Sequence, residues 1–171
     1  NKWRTAWRKR TENRQLHRGT RLKVLQRDNY TCVFCGFQAE KYLIAHHVND
    51  DPEDYRLDNL ETICPMCNLI LHVGQGVVIQ GVVDLYKESK YSQEDIIRIT
   101  RQLRAFGKSD QEIIQKLGLK EPAKFVQDIS YLKKLFGFVT SRNAQDEMTV
   151  KGLEYVYKAY KAQIENRFKK S

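Results

Sequence analysis

The chain has 171 residues, of which 30 are Lys or Arg and 21 are Asp or Glu, for a net charge of +9 with 41% hydrophobic residues. That length suits one modest domain, or a small site-bearing domain with a helical extension. Its longest apolar run, "VVIQGVV", is too short and too interrupted to cross a bilayer. The opening "NKWRTAWRKR" lacks the apolar core of a signal peptide. The expectation is therefore a cytoplasmic protein with no membrane insertion.

The first 27 residues hold ten Lys or Arg and one acid, Glu12, so the whole charge excess sits in one arm. Arg4, Arg8, Lys9, Arg10, Arg14 and Arg18, with Trp3 and Trp7 interleaved, suit a strand of phosphates and bases. A solvated basic helix accounts for the same run equally well. Residues 12–27 read as that helix, with Val24 and Leu25 as a small apolar face. "CVFCG" forms a knuckle, with Gly36 completing its turn. "KYLIAHHV" alternates and is rich in strand formers, so it reads as a strand ending at His46 and His47. "NDDPEDYRLDN" is a polar loop broken by Pro52, "LETIC" a short extended piece, and "MCNLILHVG" a brief helix stopped by Gly74.

Beyond Gly74, "VVIQGVVDLY" is β-like. Ser92 to Asp95 and Ser109 to Glu112 resemble helix caps opening "EDIIRITRQLRAF" and "QEIIQKLG". A third helix is expected after Pro122, through "AKFVQDISYLKKLFGFV". The last, "VKGLEYVYKAYKAQIENRF", sets Leu153, Tyr157, Tyr160, Ile164 and Phe168 along one stripe. The organisation expected is a basic arm (1–20), a zinc domain (21–74) and a mainly helical region (75–171). That last region would be a helix-turn-helix or a bundle that binds a protein partner or a second copy of the chain. The fold class expected is α+β.

The four cysteines form two matched pairs, Cys32–Cys35 and Cys64–Cys67. A Cys-x-x-Cys turn places two thiolates on one side, and two such turns make a tetrahedral set for structural Zn²⁺. Disulfides are disfavoured without an export signal, and pairs this close would close only tiny loops.

Three of the four histidines cluster around the second knuckle. His46 and His47 are consecutive in a strand, so their side chains take opposite faces. Asn68 and His72 stand at i and i+4 on the short helix, on one face. A hairpin packed on that helix would bring one histidine of the pair towards Asn68 and His72. The result is a metal site of N and O donors with open positions, and the other histidine beside it as a base.

His46-His47, Asn59 and Asn68-x-x-x-His72, set between two Cys-x-x-Cys knuckles, resemble the HNH (ββα-metal) endonuclease family over residues 21 to about 74. The resemblance implies a treble-clef-like zinc core and a DNA phosphodiesterase. In it His46 and His72 are ligands to a catalytic Mg²⁺, Mn²⁺ or Ni²⁺, with Asn68 beside them. His47 is the general base, and Asn59 fixes the loop and orients that base. Asn68 stands where the family pattern has a histidine. "LQRDNYTCVFCGFQAEKY" and "RLDNLETIC" also resemble the DotN/IcmJ family of zinc-containing adaptors in type IVB secretion coupling complexes. Those adaptors keep an HNH-like zinc core, lack the catalytic histidines and bind a partner protein. This chain departs from them at His46, His47, Asn68 and His72. Of the remaining polar residues, Arg27 and Asp28 read as a structural pair, and Arg56 as a loop cation within reach of a phosphate.

Overall fold

In the computed structural model, which describes residues 17–73, 81–142 and 147–170, packing divides the chain into two units, Asn1–Ile63 and Cys64–Ser171.

In the first unit, α1 (Arg18–Arg27) has no acid in its first turn and no side-chain cap. Its own first turn therefore does nothing to offset the N-terminal dipole, and tertiary contacts hold it. Val24 and Leu25 are buried, the Arg21 guanidinium donates to the Leu43 carbonyl at 2.7 Å, and Arg27 clamps the loop opposite. Arg27 meets both oxygens of Asp28 at 2.8 and 2.9 Å and donates to the carbonyls of Leu57 and Leu60 at 2.7 and 2.6 Å. Asp28 in turn accepts the Thr62 N–H at 3.0 Å. The pair is structural, as its sequence position indicates. Hydrogen bonding from Arg27 holds the Asp28 carboxyl below its ordinary value. The strands β1 (Ile44–His47) and β2 (Leu60–Ile63) pair antiparallel, with Ile44 opposite Ile63, His46 opposite Glu61 and His47 opposite Leu60. Of the helix expected over residues 12–27, residues 12–16 lie outside the described residues.

The second unit opens with α2 (Pro65–Leu71). Proline at its first position suits a helix start, because its missing N–H would be unsatisfied there anyway. A three-stranded antiparallel sheet follows. Here β3 (Val83–Glu88) lies between β4 (Lys120–Ala123) and β5 (Phe136–Val139). Helices α3 (Gln93–Ala105) and α4 (Asp110–Leu117) start at the two expected caps: Ser92 accepts the Asp95 N–H, and Ser109 with Glu112 makes a full capping box. Gly118 ends α4 in the left-handed conformation, φ 62°. Tyr86, Ile96, Ile113, Leu117, Leu119 and Phe138 form the core.

The helix expected over 123–139 is not there. That stretch holds the end of β4, a single turn α5 (Ile129–Leu132) and β5. Pro122 disfavours helix in the residue before it, and pairing with β3 buries Gly137, Phe138 and Val139, which outweighs any local helical pattern. The described residues from 81 onwards thus add a three-stranded sheet to the expected helices. The expected helix pair is present as α3 and α4, but it packs on a sheet.

Helix α3 also lines the outer edge of β5. The Gln93 amide donates to the Gly137 carbonyl at 2.8 Å and accepts its N–H at 2.7 Å, while Arg104 donates to the Val139 carbonyl at 2.6 Å. Arg104 also pairs with Asp110 and donates to the Tyr157 hydroxyl at 3.2 Å. Its guanidinium thus ties α3 and β5 to α4 and to α6 (Glu147–Lys169). Burial raises the Tyr157 phenol above its ordinary value, with Arg104 acting in the opposite direction. Gly152, Leu153 and Val156 are the buried face of α6; Phe168, on the expected stripe, is exposed.

Candidate functional site

The first knuckle closes through two backbone bonds, Gly36 N–H to the Cys32 carbonyl and Cys32 N–H to the Phe37 carbonyl, both 2.8 Å. Gly36 sits at φ 78°, a conformation that costs a glycine nothing. In the second, Cys64 caps α2 and its sulfur accepts the Cys67 N–H at 3.5 Å, a bond that stabilises a thiolate. All four cysteines are buried and none is in a disulfide. Their sulfurs lie within 4.8 Å of one another. Tetrahedral Zn²⁺ with Zn–S bonds of about 2.3 Å needs sulfurs about 3.8 Å apart. Four buried sulfurs gathered within 4.8 Å could close to that distance around a structural zinc ion.

The histidine pair ends β1. His46 lies directly across from Glu61, with Nδ1 and Oε1 3.4 Å apart. His47 takes the other face, opposite Leu60. Its ring meets that of Tyr55 edge-on, with centroids 5.0 Å apart, and Tyr55 stacks flat on His17 at 3.4 Å. His47 Nε2 is buried and has no hydrogen-bond partner among the described residues.

Asn59, 7% exposed, closes a single 3-10 turn at residues 57–59. Its Oδ1 accepts the Asn49 N–H at 3.1 Å. Its Nδ2 donates to Asn49 Oδ1 at 2.9 Å and to the Asp54 carbonyl at 3.0 Å. One carboxamide thus braces the loop between β1 and β2. Asp54 itself is held by Arg56, whose guanidinium drives the Asp54 carboxyl far below its ordinary value. Arg56, in sequence a loop cation within reach of a phosphate, is paired here with Asp54 of its own loop.

Asn68 lies on α2 and His72 is the residue that ends it. The His72 N–H still bonds the Asn68 carbonyl at 3.1 Å, which preserves the i, i+4 relation. Arg18 is exposed as the first residue of α1; Arg4, Arg8, Lys9, Arg10 and Arg14 lie outside the described residues. Sequence reasoning missed Glu61 and Tyr55 as neighbours of the histidines. The strand register signals the first once known, and nothing in the local sequence signals the second.

No family model matches the chain. It is similar to the type 4 apparatus protein DotN of Legionella pneumophila, with 49% identity over 45 residues. The match covers 26% of this chain and 21% of that protein, so it spans about a fifth of the relative's length. No helix among the described residues is long and apolar enough to cross a membrane.

Proposed function

We propose that the chain is a non-catalytic zinc adaptor that binds a protein partner within a type IV secretion apparatus, of the type IVB coupling-complex kind. The observation that carries this reading is the 49% identity to DotN. A treble-clef-like core fits it. Four thiolates on one ion fix two knuckles separated by 28 residues, and structural zinc in small peptides contributes roughly 10 kcal/mol or more to folding. Such a core presents a surface without needing a large apolar interior. The burial of His47 Nε2 beside Tyr55 also supports an architectural role for that ring.

The test is to purify the tagged full chain from cross-linked cells of its own host and quantify the proteins recovered with it. A secretion-apparatus component in near-stoichiometric amount is the expected result. Recovery of none above background overturns the reading.

A second reading, a metal-dependent HNH endonuclease, is favoured by one set of contacts: the Asn59 carboxamide bracing the loop that follows His46 and His47. In this reading neutral His47 takes a proton from the water attacking a DNA phosphodiester. His46, His72 and Asn68 are the residues that would hold a divalent cation. That ion would polarise the phosphoryl oxygen and stabilise the leaving 3′-oxyanion. Asn59 orients the base, and the basic arm holds the backbone. Nicking of plasmid DNA with Mg²⁺, Mn²⁺ or Ni²⁺, abolished in His47→Ala with zinc retained, is the outcome this reading requires. Intact plasmid under all three ions rejects it.

A further inference from the structure

Glu61 has no part in either reading so far, yet it is the side chain that faces His46. The antiparallel register sets the two residues directly opposite, and directly opposed residues share a face with Cβ atoms about 5 Å apart. Nδ1 of His46 lies 3.4 Å from Oε1 of Glu61. The Glu61 side chain is 34% exposed and that of His46 10% exposed, so the carboxylate is the partner with more room to adjust. The nearby Arg27 guanidinium directs four of its N–H groups to Asp28 and to the Leu57 and Leu60 carbonyls rather than to Glu61.

A carboxylate can only accept, so a neutral imidazole facing it is favoured with its proton on the nearer nitrogen. We infer that Glu61 is a positioning residue that fixes His46 as the Nδ1–H tautomer and so makes Nε2 the lone-pair nitrogen. A carboxylate behind a histidine is the usual outer support of a metal-ligating ring, fixing its orientation and raising its basicity. The inference deepens the endonuclease reading, on which its use in holding a cation rests. The tautomer itself is a property of this strand pair and needs neither metal nor DNA.

The experiment is long-range ¹H–¹⁵N correlation of the histidine rings in the full, zinc-loaded chain, at a pH where His46 is neutral. His46 is expected as Nδ1–H in the unsubstituted protein and in Glu61→Gln, whose amide oxygen still accepts. In Glu61→Leu it should revert towards the Nε2–H form preferred by free imidazole. Retained zinc and dispersed amide signals establish that each variant folds. Mn²⁺ titration followed by EPR gives the second readout: affinity should fall about 10- to 100-fold in Glu61→Leu and be largely kept in Glu61→Gln.

An Nε2–H ring in the unsubstituted protein, or a tautomer indifferent to Glu61→Leu, overturns the inference. The two failures are distinguishable. A chain that nicks no DNA but shows the Glu61-dependent tautomer loses the endonuclease reading alone. A chain that nicks DNA with an indifferent tautomer loses only the role of Glu61.

Discussion

Asn59 and Asn49 exchange two hydrogen bonds across the loop that follows β1, side chain to side chain and backbone to side chain. A third bond from Asn59 reaches the Asp54 carbonyl. Removing that carboxamide strands partly buried partners, at about 1 kcal/mol for each bond lost. Asn59→Ala is therefore expected to lower unfolding stability by roughly 2–3 kcal/mol and to speed hydrogen exchange across residues 48–54. Urea denaturation of the zinc-loaded protein, with exchange mass spectrometry, checks both. Asn59→Asp should not rescue it, because a carboxylate cannot donate to Asn49 Oδ1 or to the Asp54 carbonyl.

The cysteine cluster predicts one tightly held zinc per chain. Cys32→Ser and Cys67→Ser should each lose it and melt at markedly lower temperature, since thiolate is the ligand for which the site is built. Metal analysis by mass spectrometry, paired with a melting curve before and after chelation, reads the outcome. A melting temperature indifferent to chelator would reject structural zinc.

Acid should expose the Arg27–Asp28 clamp. The folded Asp28 carboxyl titrates below its unfolded value of about 3.9. Its stabilisation is thus complete above that value and is lost as pH falls through the depressed folded value. Asp28→Asn removes this contribution at neutral pH. Between pH 7 and pH 2 its stability should therefore fall less steeply than that of the unsubstituted chain, as measured by denaturant midpoints across that range.

Arg104 should tolerate no replacement by lysine. Its planar fork serves the Val139 carbonyl, the Tyr157 hydroxyl and the Asp110 carboxylate together, and an ammonium on a flexible stem cannot reproduce that geometry. Arg104→Lys is expected to cost about 1–2 kcal/mol and Arg104→Ala about 2–3 kcal/mol, because the alanine variant leaves Asp110 with only the Ser141 N–H and hydroxyl as partners. Thermal and denaturant unfolding of the two variants gives the ranking.

Gly137 is a packing requirement rather than a turn. A Cβ there would lie 2.7 Å from the Ile70 side-chain terminus and 3.6 Å from Val83. Gly137→Val should destabilise by about 1–3 kcal/mol through overpacking, and a second change, Ile70→Ala, should recover part of the loss in a double-mutant cycle.

The features legible in the sequence were those with a local cause. The two knuckles, the caps at Ser92 and Ser109, the strand ending at His47 and the last helix each follow from a spacing or a capping pattern within a few residues. What escaped depends on pairing between distant segments. The stretch after Pro122 has apolar spacing that reads as helical, and only the presence of β3 turns Phe136–Val139 into a strand. Likewise Glu61 acquires significance only through the register that sets it against His46, and Tyr55 through a loop folded back onto His17 and His47. Residues 77–80, read as the start of the β-like run, lie outside the described residues.

The alignment of Gln93 and Arg104 along β5 bears on how this unit can associate. An unpaired strand margin is an invitation to main-chain pairing with another polypeptide. Here one helix answers the outward amide and carbonyls of Gly137 and Val139 with its own side chains, and on the opposite margin β4 is only four residues long and carries Pro122, which has no N–H to offer. Strand addition is thus discouraged on both sides of the sheet. What this unit presents instead is side-chain chemistry on helix and loop surfaces, where any selectivity would be set residue by residue.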